Sequence, residues 1–524
     1  MKLTWLILIP TLGGILAWIA GKRNTLACRW IALAASLADF ALALSLLAQF
    51  DVSAIPGKPF IEHRVPWVPA FGINYFVAMD GLGLLLVLLS TVIGIAAIAA
   101  SWREITDHVA EFHLAIMVLL SAIIGTFTAY NLILFYFFWE LMLVPMYFLI
   151  AVWGHENRRY AAIKFVLFTF IGSLFMLASI LGLHFVHASN TGTYTFDLPD
   201  LLGTLMPAAT AMWLMIGFFV GFAVKIPAVP LHTWLPDAHT EAPTAGSLHL
   251  AALLLKTGAY GLLRFAIPLF PAASAQVRPV AMALGVAGII YGAILSFAQQ
   301  DLKRMVAYTS VSHMGFVILG IYAGTELALQ GAVIAIICHA FATGALFLIV
   351  GMIQERTHTR DLAQLGGLWA TVPKIGGFTL FFAMAALSLP GMGNFVGEFL
   401  VLLGTFQVSR TAAVIASVGL IISAVYGLRL VQASVLGPNV KNWTLSDLNA
   451  RETAVLGVFA ASLLWIGLYP QPIIATARAS LIHIQRNFTA VNAQFDSGSG
   501  WLNAALSPWD KSEARENSGR SADD

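Results

Sequence analysis

The chain has 524 residues, 59% of them hydrophobic and only 10% charged, with a mean hydropathy of +0.83. Soluble domains run at about 45–50% apolar and about 25% charged residues, so an ordinary soluble domain and a disordered chain are both excluded. Twenty-eight Lys+Arg against 26 Asp+Glu leave a net charge of +2 with no basic face, which excludes a nucleic-acid binder. Strands of an outer-membrane barrel alternate apolar and polar residues over about 10 positions, whereas this chain carries long continuous apolar runs. The composition predicts an all-α polytopic membrane protein.

A spanning helix needs about 20 mostly apolar residues. Fourteen candidates follow in chain order, near 3–20, 27–48, 80–100, 111–128, 131–151, 161–187, 209–233, 243–266, 277–297, 303–323, 328–353, 375–406, 411–436 and 453–473. The run that starts at residue 3 reads as the first spanning helix and not as a cleaved signal peptide. The two cysteines, Cys28 and Cys338, lie in apolar runs and read as small buried residues. Two connections are long: 49–79, with Pro56, Pro59, Pro66 and Pro69, and 188–208. From 490 to 524 the chain turns polar and Gly/Ser-rich and is expected to be a disordered tail. The organisation read from this is 1–110 for spans 1–3, 111–266 for spans 4–8, 277–436 for spans 9–13, and 453–489 for span 14 and its flank.

An even number of spans puts both termini on one side. Connections on the opposite side carry fourteen Lys+Arg, among them Lys22, Arg23, Arg158, Arg159, Lys303 and Arg360. The N-terminal side carries six before the tail: Lys2, Lys58, Arg64, Arg264, Arg278 and Arg410. The positive-inside rule therefore predicts both termini in the periplasm, for a chain in a bacterial inner membrane.

Several ionisable residues fall inside the spans. Arg429 is near the inner end of its helix and can snorkel. Glu140, Lys225, Lys256, His313, His339 and Glu398 lie too far from either interface to do so. A charge at the bilayer centre costs about 2.5–3.5 kcal/mol on insertion scales, which makes such residues functional candidates. The competing reading is static ion pairs between helices, or hydrogen-bonded packing for the histidines; buried ionic glue rarely repays its desolvation. The functional reading is a proton relay, because burial moves Lys and Glu toward neutrality and His titrates near physiological pH.

The same helices are interrupted. Lys225 precedes Pro227 and Pro230, Glu140 precedes Pro145, and Glu398 follows Pro390, Gly391 and Gly393. Interrupted segments at matching places in two halves point to an inverted-repeat transporter site. The halves are spans 4–8 and 9–13, pairing Glu140 with His313 and Lys225 with Glu398. In HTWLPDAH (232–239) no metal spacing is present, and Asp237 and Thr240 are expected to serve the turn and cap into span 8. Tyr308, Thr309, Ser310 and Ser312 satisfy backbone carbonyls or order water. No phosphate loop, haem attachment or iron–sulfur cysteine set is present, so no electron carrier, cofactor or metal is expected in this chain.

Four segments carry a resemblance: FFWELMLVPMYFLIAVWG (137–154), GFAVKIPAVPLHTWLPDAHTEAPTAGSLHLAALLLKTGAYGLLRF (221–265), DLKRMVAYTSVSHMGF (301–316) and PGMGNFVGEF (390–399). Together they resemble the antiporter-like subunits of respiratory complex I over roughly residues 1–485. The acid Glu398 in broken span 12 sets the chain apart from sister subunits and multisubunit sodium/proton antiporters, where a lysine is expected.

The resemblance implies fourteen helices with two inverted five-helix repeats (spans 4–8 and 9–13) and broken helices 7 and 12. It implies a coupled Glu140–Lys225 pair, a central Lys256, a terminal Glu398 from which the proton leaves, and His313 and His339 on the axis between. Glu104 resembles an acidic residue of the family at the inner end of span 3. Flavin, iron–sulfur clusters and quinone are implied in other subunits of the NADH:quinone oxidoreductase. Neighbouring antiporter-like subunits at both ends, a long lateral helix and the lipid bilayer are the implied partners. The alternatives are a cation/proton antiporter subunit and a membrane spacer whose charges are relics.

Overall fold

The computed structural model describes residues 1–486, except Ala54 and Val440, and also Phe488. The tail expected over 490–524 lies outside the described residues. The apolar runs become helices α1 (Lys2–Gly21), α2 (Thr25–Leu47), α3 (Gly81–Glu104), α4 (Val109–Thr128), α5 (Leu132–Trp153) and α6 (Arg158–Thr191). There follow α7 (Ala208–Lys225), α8 (Trp234–Glu241), α9 (Thr244–Leu269), α10 (Pro271–Ala298), α11 (Leu302–Ala323) and α12 (Glu326–Thr357). The last are α13 (Pro373–Ala386), α14 (Gly393–Val408), α15 (Arg410–Ser434), α16 (Ala450–Leu468) and α17 (471–486).

Among the described residues thirteen helices are long and apolar enough to cross a membrane; α13 and α14 are each shorter and together make the twelfth predicted span. The seventh span is likewise two pieces, α7 and α8, so its second half extends to Glu241, beyond the expected end at 233.

Proline explains the breaks. Pro145 has no N–H to offer Leu141, and α5 is interrupted at Met142. Pro227 and Pro230 end α7 at Lys225. Two carbonyls of its last turn find other donors: Ala223 O accepts from Ala228 N at 2.9 Å and Val224 O from the Trp234 indole at 2.9 Å. A broken helix inside a bilayer is tolerated when its freed groups are satisfied in this way.

The long connection 49–79 holds an element that its prolines concealed. β1 (Ile61–Val68) and β2 (Ile73–Met79) form an antiparallel hairpin, with a bulge at Pro66/Val68. Pro66 cannot donate to the ladder, and a bulge is a place where that is tolerated. The turn needs Gly72, which has φ +67° and sits where a Cβ would lie 2.0 Å from Tyr194 O.

The core is central to the helix array. The apolar windows of α9 and α11 are 94% buried and that of α12 is 100% buried, against 28% in α2 and α16. α10 lies along α11, α14 along α12, and α1, α2 and α4 form a side bundle. The α10–α11 approach depends on small residues: a Cβ on Gly315 would meet Gly285 O and Ile289 N at 2.7 Å. Arg429 reaches from α15 to the end of α10, where it donates to Phe297 O.

Candidate functional site

The six candidates fall into two clusters. In the first, Lys225 is the terminal residue of α7 and is 1% exposed. Its Nζ has no hydrogen-bond partner among the described residues and lies 4.9 Å from the Trp139 ring centroid and 5.9 Å from that of Phe165. Glu140 is the next residue after Trp139, one turn before the Pro145 break. Its carboxylate interacts with Ser173 and Tyr136, and its Oε1 has no partner among the described residues. No ion pair joins Glu140 and Lys225 among the described residues; the ammonium faces the Trp139 indole and feels the Glu140 charge at longer range. The two residues that the resemblance couples share a neighbourhood without direct contact.

The second cluster is a continuous series. Lys256, on α9, is fully buried; its Nζ donates to Ala251 O at 2.6 Å and lies 2.6 Å from His339 Nδ1 on α12. The His339 and His313 rings meet edge-on at 5.6 Å. His313 Nδ1, on α11, is 2.7 Å from Glu398 Oε1 on α14. Ser388 donates to Glu398 Oε2 at 2.6 Å, and Tyr426 OH sits 3.4 Å from His313 Nε2. Four of the six candidates therefore stand in one row across four helices.

Local backbone irregularity positions both ends of that row. Lys256 follows a π-turn at Leu250–Leu254, and a second π-turn occupies Leu262–Ala266. Such turns are frequent at functional sites, because they re-aim side chains within a continuous helix. Ser388 lies between α13 and α14 at φ +58°, a left-handed conformation that is strained for a non-glycine residue. That conformation accompanies a hydroxyl bonded to Glu398.

Three residues escaped the sequence reading as site members. His239 on α8 is fully buried, stacked on Phe347 with centroids 4.3 Å apart, and neither ring nitrogen has a partner among the described residues. It is within electrostatic range of both Lys256 and Lys303. Ser388 and Tyr426 were hidden because hydroxyls are common and only their placement marks them. For His239 a signal existed: a histidine following the Pro227/Pro230 break of the same span.

On the side away from the N-terminus the expected capping is corrected. Asp237 does not cap the eighth span; it bridges Lys164 at 2.6 Å and Arg304 at 2.9 Å. Thr240 bonds back to Pro236 O at 2.6 Å. The start of α9 is capped from outside by Glu104, whose Oε1 accepts from Thr244 N at 2.9 Å and Thr244 Oγ1 at 2.7 Å. A carboxylate belongs at a helix N-terminus, where orphan N–H groups and the dipole favour negative charge. Lys303 is buried beside this cap and donates to Ala242 O. Along α11, Thr309 and Ser312 satisfy Val306 O and Ile289 O, while Ser310 Oγ is unpartnered among the described residues.

This arrangement can move protons. Lysine and imidazole, and imidazole and carboxylate, stand in hydrogen-bond contact at the two ends of the row, the two rings meet between them, and unpartnered polar atoms beside them suit bridging water. Among the described residues no three His, Cys, Asp or Glu side chains gather as a metal-ligand set.

Comparison with known proteins places the chain in a family. A family model described as NADH:quinone oxidoreductase/Mrp antiporter matches residues 129–423. The chain is 48% identical to NADH-quinone oxidoreductase subunit M of Pseudomonas aeruginosa over 518 residues, covering 97% of this chain and 99% of that one. It is 47% identical to the subunit M of Escherichia coli K12 over 500 residues, covering 93% and 98%. Its backbone is similar to a chain of respiratory complex I from Thermus thermophilus, with a TM-score of 0.84 and 30% identity over 94% of this chain and 100% of that one. A chain of the Mrp complex from Dietzia sp. shares the fold, with a TM-score of 0.80 and 19% identity over 94% and 98%.

Proposed function

The chain belongs to the NADH-quinone oxidoreductase subunit M family, and from that premise we propose that its buried Lys256–His339–His313–Glu398 row is the proton relay of the subunit. It is an antiporter-like, proton-translocating membrane subunit of complex I, one part of a multisubunit enzyme. It crosses the membrane many times.

Electron transfer takes place elsewhere in the complex, where flavin, iron–sulfur clusters and quinone bind. This chain supplies the translocase half of the coupling. It sits in the bacterial inner membrane with both termini on the periplasmic side, a reading supported by the fourteen-to-six bias of Lys+Arg between the two sets of connections. Neighbouring antiporter-like subunits flank it, and a long helix from another subunit lies along it. The stretches 111–266 and 277–436 act as inverted halves, with the α7–α8 and α13–α14 breaks at matching places.

Lys225 holds a proton next to Trp139. Glu140, one turn from a proline break, responds to a charge change delivered from the adjacent subunit. When the Glu140 charge is withdrawn, Lys225 loses its counter-charge and releases its proton toward the centre. His239, with both nitrogens free of protein partners among the described residues, is placed to carry it toward Lys256. Lys256 passes it to His339, then His313, then Glu398, from which it leaves. Lifting one proton against 100 mV takes about 2.3 kcal/mol, and each pKa unit of coupling is worth about 1.4 kcal/mol, so shifts of about two units are sufficient in scale.

The observation that carries this reading is the Lys256–His339 contact at 2.6 Å together with the His313–Glu398 contact at 2.7 Å. It is tested in inverted membrane vesicles carrying Lys225→Ala. NADH-driven proton uptake and NADH:quinone electron transfer are recorded together beside wild type. Both fall in parallel if Lys225 feeds the relay. Unchanged values for both would overturn the reading and favour the antiporter alternative.

A further inference from the structure

The face of α9 that carries Lys256 does not end there. Tyr260 and Arg264 follow at four-residue intervals on the same side of the helix, toward the N-terminal face of the molecule. An α-helix drifts over eight residues; the wider π-turn at Leu262–Ala266 turns Arg264 back toward the Lys256 line. At 1.5 Å per residue, Arg264 stands about 12 Å beyond Lys256 along the axis. This is the straight route from the central lysine to the N-terminal face.

That route is crossed by a guanidinium, and the acceptors beside it are already engaged. Tyr260 OH donates to Phe127 O at 3.0 Å and accepts from Arg264 Nε at 3.2 Å. Arg264 Nη2 pairs with Asp80 Oδ1 at 2.5 Å, and its guanidinium lies 5.0 Å from the Tyr130 ring centroid and 5.3 Å from that of Tyr260. Asp80 is held in turn by Gly83 N at 3.0 Å and by Ser480 Oγ of α17 at 2.6 Å. The Arg264 and Asp80 side chains are 12% and 10% exposed.

A proton wire needs groups that accept as well as donate. A guanidinium offers only donors and does not lose its proton in proteins. Placed across a narrow polar path, an arginine turns neighbouring acceptors away and excludes protons, as in water-selective pores. The one hydroxyl in line, Tyr260, has its proton committed to Phe127 O.

We propose that the Tyr260–Arg264–Asp80 cluster is a proton-tight plug that closes the direct outward route from Lys256 and so forces the proton sideways along His339, His313 and Glu398. The inference rests on the proton-relay reading above, and it adds the element that makes the lateral path obligatory. Arg264 acts here as a positioning and sealing residue, outside the relay itself.

The test uses the purified complex in proteoliposomes. Arg264→Gln is expected to keep NADH oxidation at the wild-type level while protons delivered per electron fall. The decay of an imposed pH gradient should accelerate severalfold in the same liposomes. Arg264→Lys, which keeps a donor-only cation, should restore tightness. Ile473→Ala, which loosens the packing of α17 and removes no hydrogen bond of the plug, should stay tight.

Wild-type tightness and protons per electron in Arg264→Gln would overturn the plug while leaving the relay reading standing. An equal leak in Ile473→Ala would also overturn it, because docking of α17 would then be the cause. Should Arg264→Gln fail to assemble, Asp80→Asn decides: it removes the charge that holds the guanidinium and keeps an acceptor for Gly83 N, and a tight Asp80→Asn complex overturns the plug. A wild-type complex that moves no protons with NADH would instead defeat the relay reading.

Discussion

At the scale of single residues, burial sorts the charged groups by task. Glu398 has both carboxylate oxygens engaged, one with His313 and one with Ser388. Glu398→Gln keeps the shape and loses the titrating group, so NADH-driven proton uptake should fall about tenfold or more, the equivalent of at least one pKa unit of lost coupling. Ser388→Ala removes a hydrogen bond to a charged acceptor, worth about 1.5–3 kcal/mol. It should slow pumping less than Glu398→Gln, and vesicle proton uptake ranks the two. His155, in the connection before α6, is a different case: burial, then the Lys303 and Arg360 charges, push its pKa down to about 4. A base with a depressed folded pKa contributes stability that is lost as pH falls from about 6.5 toward that value. The wild-type complex should therefore lose half-life faster than His155→Gln between pH 6.5 and pH 4, measured as retained assembly on native gels.

At the scale of elements, the sequence reveals breaks better than it reveals contacts. Pro145, Pro227 and Pro390 lie where α5, α7 and the α13–α14 pair are interrupted, because a missing N–H is a local fact. The π-turns of α9 have no comparable letter code; they arise from how α9 packs inside the core. The 61–79 hairpin was hidden for the opposite reason, since four prolines in 49–79 read as irregular chain while Pro66 sits at a tolerated bulge. Capping was misread for a similar cause. Asp237 is near α9 in sequence, but Glu104, 140 residues before Thr244, holds the helix start. Glu104→Ala should cost about 1 kcal/mol of cap energy and more from the orphaned N–H groups it leaves buried. Glu104→Gln keeps an acceptor and should lose less. Thermal inactivation of the assembled complex compares them, and equal loss would show that the charge, and not the cap, is what counts.

For the whole molecule, out-of-place residues in a hydrophobic chain mark the candidates, while packing alone sets four of them in a row. Glu140, Lys225, Lys256, His313, His339 and Glu398 stand out because each is expensive in lipid. That four of them touch in sequence across α9, α12, α11 and α14, and that Lys225 faces Trp139 without pairing to Glu140, depends on which helices lie side by side. His239 was passed over for the same reason. Orientation is a whole-molecule property that charge counts alone support. Thr193→Cys, in the exposed connection after α6, should label with a membrane-impermeant maleimide in intact spheroplasts. Arg23→Cys should label only in inverted vesicles, and the reverse pattern would turn the protein over.

The central claim is that protons cross this subunit along the Lys256–His339–His313–Glu398 row. It is tested most directly with His339→Leu in inverted vesicles, recording NADH-driven proton uptake and NADH:quinone electron transfer at once. The leucine fills the site and removes the group between Lys256 and His313. The account predicts that both rates fall together, because a blocked obligatory path holds back the redox reaction coupled to it. Wild-type proton uptake per electron at the wild-type rate of electron transfer would contradict it.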